Sequence, residues 1–204
     1  MEYLIFKDKM IALLEKIKGK RLKSIRYLIE TKRRDFLAIT WGDIYLNVED
    51  DYIKLNRELE IKEYFKMKEK FGIDEELGEF RCCKYDATNG FKFYDEITCY
   101  DKECHLVDQV IEEVAIIRDE IENRTCNYSV TIDEALIIKT EKNIYVFIRG
   151  SRFDEDIEIY EYKKGENYKK YIYTYKELLE EWGASDEVEG EYDEVFINRS
   201  EIVL

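Results

Sequence analysis

The chain has a single histidine, His105, and four of its five cysteines stand within the same 24 residues: Cys82, Cys83, Cys99 and Cys104. Thiolate sulfur and imidazole nitrogen are good zinc ligands, and a thiol beside an imidazole can act as a nucleophilic pair. Neither pattern is complete here. No paired Cys-x2-Cys knuckle occurs, and adjacent Cys82 and Cys83 are poorly placed to bind one metal together. Cys104 and His105 are sequence neighbours, so in an extended chain their side chains point to opposite faces. The expectation is free or buried thiols acting as small core residues, with no structural zinc.

Carboxylates are the next candidates. Asp43, Glu134 and Asp154-Glu155-Asp156 could offer oxygen to a divalent ion. No Asp-x-Asp-x-Asp-Gly loop accompanies them, and with only nine glycines no phosphate cradle is legible. The acids are expected to be solvated, with no metal, no cofactor and no catalytic residue assigned.

What the acids do form is a gradient. Residues 1–34 hold eleven Lys/Arg against four Asp/Glu, a net of +7, whereas residues 177–204 hold ten Asp/Glu against Arg199, a net of −9. The whole chain carries −14. Such polarity suits charge-guided association, and the negative total opposes direct nucleic-acid binding. Lys16, Lys18, Lys20, Arg21 and Lys23 read as a solvated helix end, where cations favour the C-terminal dipole. Before the acidic end, Tyr160, Tyr162, Tyr168, Tyr171, Tyr173 and Tyr175 cluster. Tyrosine suits half-buried strand faces and also anchors interfaces at low entropic cost. The expected contact surface is therefore Tyr173, Tyr175, Glu180, Glu181, Asp186, Glu187, Glu189, Glu191, Asp193 and Glu194.

The elements that must position these residues follow from periodicity. Met10, Ile11, Leu13, Leu14 and Ile17 share a helical stripe over residues 8–18 that ends at Gly19. Strand-like runs cover Leu22–Ile29, Phe36–Thr40, Ile44–Val48 and Tyr52–Asn56, with Glu49-Asp50-Asp51 joining the last two. Helical spacing is read at Leu59–Phe71 and again at Leu106–Ile121. Arg81–Asp86 and Phe91–Thr98 read as a hairpin about Asn89-Gly90, which would bring Cys82 near Cys99. Glu134–Thr140 and Asn143–Arg149 form a further hairpin, with Leu136, Ile138, Val146 and Ile148 expected on one buried face. Ile157–Tyr162 and Tyr168–Tyr173 would extend that sheet. Thr174 and Glu177 form a capping box for a short helix, and Val195–Leu204 is a last strand. A displacement of 92 residues aligns 25–57 with 117–149 and lays the hairpin 44–55 on the hairpin 136–147. That echo is read as a duplication or as shared hairpin patterning.

Proline is absent, where average usage would give roughly ten. With abundant Lys, Ile and Tyr and scarce Ala, this is the mark of AT-rich coding and suggests a low-GC bacterium or one of its phages. Lys7, Asp8 and Lys9 cut short the apolar start, so no secretory signal is read, and no apolar run is long enough to span a membrane. A reduced, cytoplasmic protein is expected. In composition and size the chain is similar to small bacterial immunity proteins and phage-encoded inhibitors of host defence; this likeness assigns no functional residue.

The fold expected is α+β, mainly antiparallel sheet with a few helices and two β-rich halves that the echo would relate. Residues 1–71 would form a helix and an antiparallel half, 72–106 a hairpin-containing connector, and 107–204 a second half with the acidic segment. The function expected is a non-enzymatic acidic protein that binds and inhibits a basic partner protein, a toxin or a defence enzyme. The alternatives are a small-ligand or nucleotide-binding β-barrel and a catalytic domain without a recognisable motif.

Overall fold

A computed structural model describes residues 2–29, 31–33, 36–41, 43–59, 78–85, 101–124, 128–149, 156–170, 172, 174, 176–178 and 194–204. Most of them are antiparallel sheet. The elements in chain order are β1 (Glu2–Leu4), α1 (Asp8–Glu15), β2 (Arg21–Ile29), β3 (Thr31–Arg33), β4 (Phe36–Trp41), β5 (Ile44–Val48) and β6 (Asp51–Leu59). They continue with β7 (Gly78–Tyr85), β8 (Asp101–Asn123), β9 (Tyr128–Thr140), β10 (Asn143–Arg149), β11 (Asp156–Lys163) and β12 (Val195–Val203). Helix is limited, among the described residues, to α1 and a turn at 176–178. "Sheet-dominant" is thus the apt description, with the α component slight.

The apolar stripe of α1 behaves as its spacing requires. Leu14 and, one turn on, Ile17 are buried in the main core, and Met10, Ile11 and Leu13 pack against it. The chain then turns through Gly19, whose φ of 82° favours a residue without Cβ. Gly19 N–H donates to the Ile111 carbonyl and Ile111 N–H to the Lys20 carbonyl, which seats the start of β2 against β8.

The strands run in the order β3-β4-β11-β10-β9-β8-β2-β5-β6-β7, with β1 parallel to β9 and β12 antiparallel to β8. A single residue separates the end of β2 from β3, which pairs with β4. The path β4-β11-β10-β9-β8-β2 therefore returns to its start through β3, while β5, β6 and β7 continue from the other edge of β2. Closing a path of strands removes exposed edges. One core cluster draws residues from both parts: Leu22 and Ile25 of β2, Leu46 of β5, Ile53 of β6, Ile116 of β8, Leu136 of β9, Phe147 of β10 and Ile159 of β11.

β8 replaces the helix read over Leu106–Ile121. Its first part pairs with β2 and its second with β9 and β12. The pairing shifts between Leu22 and Ser24 of β2 and again near Ile111/Glu113 and Ile117/Arg118, and Asp108 takes a positive φ of 49° at the first irregularity. Bulges change the phase of a strand's two-residue alternation. Between them Val114, Ala115, Ile116 and Ile117 are all buried, because both faces are covered there. The extra residue falls on β8 at the first two shifts and on β9, at Glu134, in the third, so two phase changes ahead of a doubly buried centre imitate the three-to-four spacing of a helix.

The same double burial corrects the face assigned to the β9–β10 hairpin. Leu136, Ile138, Val146 and Ile148 are all buried. However, Leu136 stands opposite Phe147 and Ile138 opposite Tyr145, whereas Val146 stands opposite Ile137 and Ile148 opposite Ala135. The first two belong to the main core and the last two to a second cluster that Tyr160, Tyr162 and Ile172 complete. Continuous apolar runs are what strands buried on both faces require, and such a run leaves facing undetermined.

The remaining expectations divide by position. β2, β4, β5, β6, β11 and β12 occupy the runs read as strands, and the capping box is present: Glu177 N–H donates to Thr174 Oγ1 at 3.3 Å and Thr174 N–H to Glu177 Oε2 at 2.6 Å. Tyr168–Lys170 form a turn instead of a strand, because Gly165, at φ 96°, lets the chain leave the sheet. Leu59 ends β6, and the rest of the helix read at 59–71 lies outside the described residues, as do the Asn89-Gly90 turn and the arm at 91–98. The 92-residue displacement carries the pairs Tyr45↔Lys54 and Leu46↔Ile53 onto Ile137↔Val146 and Ile138↔Tyr145. The preceding strands depart from it, since Ile25 pairs with Leu46 but Ile117 with Ala135.

Candidate functional site

Of the ten residues of the expected contact surface, Glu194 is described; Tyr173, Tyr175, Glu180, Glu181, Asp186, Glu187, Glu189, Glu191 and Asp193 lie outside the described residues. Glu194 is exposed, and its carbonyl accepts the Arg124 N–H at 2.9 Å as the chain enters β12. The antiparallel register then sets Phe196 opposite Glu122 and Asn198 opposite Glu120. Glu120, Glu122 and Glu194 are exposed, and Phe196 is 49% exposed. The Arg124 guanidinium lies 4.1 Å from the Phe196 ring centroid and its Nε is 3.0 Å from Glu122, a cation–π contact joined to an ion pair. Arg199 is turned elsewhere: it makes a two-point bond at 2.8 and 2.7 Å to Asp119, which is fully buried. This end of the β8–β12 pair therefore holds three exposed carboxylates and an exposed aromatic ring, with Arg124 among them.

The positive N-terminal segment is matched by acids that other turns supply. Lys20 lies 3.8 Å from Glu49, Lys23 3.2 Å from Asp50 and Arg21 3.3 Å from Asp108. Lys18 Nζ reaches the Leu204 carbonyl at 3.2 Å. Exposed pairs of this kind stabilise little, but they cancel charge, so the gradient along the chain is partly neutralised in space at its basic end.

The thiols and the histidine do not meet among the described residues. Cys82 is buried on β7, with its Sγ 3.7 Å from the Met10 carbonyl, and burial together with the neighbouring Cys83 pushes its thiol up to about 12. Cys83 is exposed and Cys104 half-buried, and all three are free. Cys99 and Cys126 lie outside the described residues. Among those described, no group of three or more His, Cys, Asp or Glu is placed to hold a metal ion. A thiol-specific reagent applied to the folded protein near pH 8 should modify Cys83 at least tenfold faster than Cys82, because only the thiolate reacts. Equal rates, read by mass spectrometry of tryptic peptides, would mean that β7 does not bury Cys82.

His105 instead faces β10 and β11. Tyr145 and Glu161 are directly opposed across these two strands, and Asn143 lies two residues before Tyr145 on the same face. Glu161 Oε1 accepts from Asn143 Nδ2 at 2.6 Å and from Tyr145 OH at 2.9 Å, and His105 Nε2 lies 3.5 Å from the same oxygen. The His105 and Tyr145 rings meet edge to face, with centroids 5.9 Å apart. His105, followed by the hydrogen bonds from Tyr145 and Asn143, holds the Glu161 carboxyl below the usual carboxylate range against the opposing effect of burial. Burial pushes the Tyr145 phenol well up, and its neighbour Glu161 adds to that.

Two of the carboxylates considered as ion ligands, Asp43 and Glu134, are bound to cations. Asp43 is 3.1 Å from Lys54 Nζ and accepts from Tyr45 OH at 3.0 Å. Glu134 takes both Arg149 Nε, at 2.5 Å, and Arg149 Nη2, at 2.8 Å. Asp156 opens β11, and Asp154 and Glu155 lie outside the described residues. A further buried pair, Asp133 with Arg118 at 2.7 Å, also holds the Phe6 N–H at 2.7 Å and so ties the segment after β1 to β9.

Sequence reasoning missed the Asn143–Tyr145–Glu161 group. The alternation Asn143-x-Tyr145 was visible, but only the β10–β11 register sets Glu161 opposite it. Comparison with protein-family models, with curated proteins and with solved structures gave no match.

Proposed function

We propose that this chain is a non-enzymatic acidic binding protein that occupies a basic site on a partner protein, as an immunity protein or an inhibitor of host defence does. The observation that carries the reading is the end of the β8–β12 pair. Exposed Glu120, Glu122 and Glu194 surround the exposed Phe196 where the acidic run of residues 186–194 enters β12. Carboxylates would steer a cationic partner toward this end. Phe196, together with Tyr173 and Tyr175, would supply the aromatic anchoring that interfaces use. Free cysteines favour work in a reducing compartment such as the cytoplasm.

Kinetics separate steering from anchoring. Replacing Asp186, Glu187, Glu189 and Glu191 with Asn or Gln should lower the association rate with the partner several-fold at low salt and leave the fold intact. Replacing Tyr173 or Tyr175 with Ala should instead raise the dissociation rate. Surface plasmon resonance on the partner captured by the immobilised chain reads both. Unchanged rates for the fourfold variant at every salt concentration would leave the acidic segment as a solubilising face.

A small-ligand β-barrel is the second reading, favoured by the return of the strand path through β3. Against it, Tyr145, Phe147, Ile157 and Ile159 of the strands along that path are all buried in one apolar cluster.

A further inference from the structure

We propose that β12 is a docking edge for a second copy of this chain, the two copies pairing their β12 strands antiparallel about a two-fold axis at Ser200. The inference goes beyond the reading of a basic partner and does not depend on it.

β12 pairs with β8 on one side, and no other described strand pairs with it. Arg124 N–H donates to the Glu194 carbonyl and Leu204 N–H to the Val114 carbonyl. Bonded and unbonded positions alternate in an antiparallel pair, so the even-numbered residues turn their backbone groups toward β8. The odd-numbered residues turn theirs to the open edge. Of these, Ile197, Glu201 and Val203 make no backbone hydrogen bond there with any described residue. An open row of donors and acceptors is a template for another strand, and proteins usually blunt it with Lys, Pro or a bulge. β12 contains no Lys and no Pro, and its register with β8 is unbroken over nine residues. The strand is also neutral, with Arg199 against Glu201, in a chain that carries −14. Phe196 and Val203 stand on it at 49% and 54% exposure.

Self-complementarity identifies the occupant. Pairing through the open edges sets odd-numbered residues of one copy opposite odd-numbered residues of the other. With the axis at Ser200, Arg199 of each copy stands opposite Glu201 of the other, Ile197 opposite Val203, and Phe196 opposite Leu204. Unlike charges and apolar pairs directly opposed across strands are favourable, and like charges are not. Moving the axis to Arg199 opposes Arg199 to itself and Ile197 to Glu201. Moving it to Glu201 opposes Glu201 to itself, and moving it to Asn198 sets Arg199 against Ile197 and Glu201 against Val195. Arg199 keeps Asp119 and Glu201 keeps Lys139 and Lys169 in the pairing. Their side chains, 31% and 20% exposed, set the register by sign. The two apolar pairs cover both Phe196 and Val203.

Sedimentation equilibrium of the purified full chain tests this from about 1 μM to about 1 mM. The salt is about 0.15 M, where a Debye length of ~8 Å screens the net charge between copies. The expected result is a monomer–dimer equilibrium, weakened at least tenfold in Val203→Pro. Proline there removes an N–H that faces the open edge and leaves the bonds to β8 in place. If Val203→Pro does not fold, by circular dichroism, Val203→Lys serves in its place and sets a charge on the edge. Register is read from cross-linking under oxidised glutathione. At the axis the two Ser200 residues form an unbonded pair with Cα atoms about 4.5 Å apart, within the span of a disulfide. Ser200→Cys should therefore link two copies through position 200 at least tenfold faster than Asn198→Cys links them through position 198, by mass spectrometry of the joined peptides. A parent chain that stays monomeric throughout, a dimer equally tight in the edge variant, or equal linking at the two positions overturns the proposal. No basic partner enters these measurements, so their failure is distinct from failure of the acidic-segment reading.

Discussion

Replacing Arg149 with Met should destabilise the protein by about 3–5 kcal/mol, the range for a buried ion pair that loses one partner. Arg149 is 1% exposed and Glu134 is fully buried, and the guanidinium meets the carboxylate at two points. Methionine fills much of the space but leaves the Glu134 charge in a medium that cannot solvate it. The paired change Glu134→Leu with Arg149→Met removes both charges and should recover most of the loss, because an apolar pair of similar volume often matches or exceeds a buried ion pair in stability. Urea unfolding midpoints of the two variants decide the matter. A single variant within about 1 kcal/mol of the parent would mean that Glu134 reaches water.

Truncating Ile138 to Ala should cost about 2–5 kcal/mol, from lost transfer energy and the cavity left behind. Ile138 is fully buried, opposite Tyr145 on β10 and Val114 on β8, so three strands close on it. Leu106→Ala is the matching control. As part of a helical stripe Leu106 would be buried and its truncation costly; on β8 it is 79% exposed, and the change should stay within about 0.5 kcal/mol. The contrast is read from unfolding curves with a common slope. A costly Leu106→Ala with a mild Ile138→Ala would reverse the strand assignment of residues 106–121.

What could be read in advance follows from how local each signal is. The β5–β6 and β9–β10 hairpins were legible because two-residue turns at Glu49-Asp50 and Glu141-Lys142 separate β-rich runs. β8 was not, since bulges at Asp108 and near Ile111, followed by a stretch buried on both faces, break the alternation on which a strand reading depends. Its seven β-branched residues between Val107 and Ile121 were the signal that should have outweighed spacing. Facing in β9 and β10 was lost for another reason: a run buried on both sides carries no inside–outside pattern.

The candidate sites show the same division. The charge gradient is a property of the chain and was visible whole, but its partial neutralisation by Glu49, Asp50 and Asp108 depends on turns that only the folded sheet brings to the basic segment. His105 was singled out beside Cys104, its neighbour in sequence. Its neighbours in space, Tyr145 and Glu161, come from strands 40 and 56 positions further on. Glu161 is one of 47 acids, and nothing local marks it. The opposition of β10 to β11 is what makes it different from the rest.

The central claim is that negative charge guides this protein to a basic partner, and the association rate of the unaltered chain tests it most directly. The partner captured by the chain is mixed with it by stopped flow at ionic strengths from about 0.01 M to about 1 M, over which the Debye length falls from ~30 Å to ~3 Å. The account predicts an association rate that drops at least tenfold across this range while the dissociation rate changes little. An association rate that stays constant would contradict it, because steering by exposed carboxylates cannot survive screening.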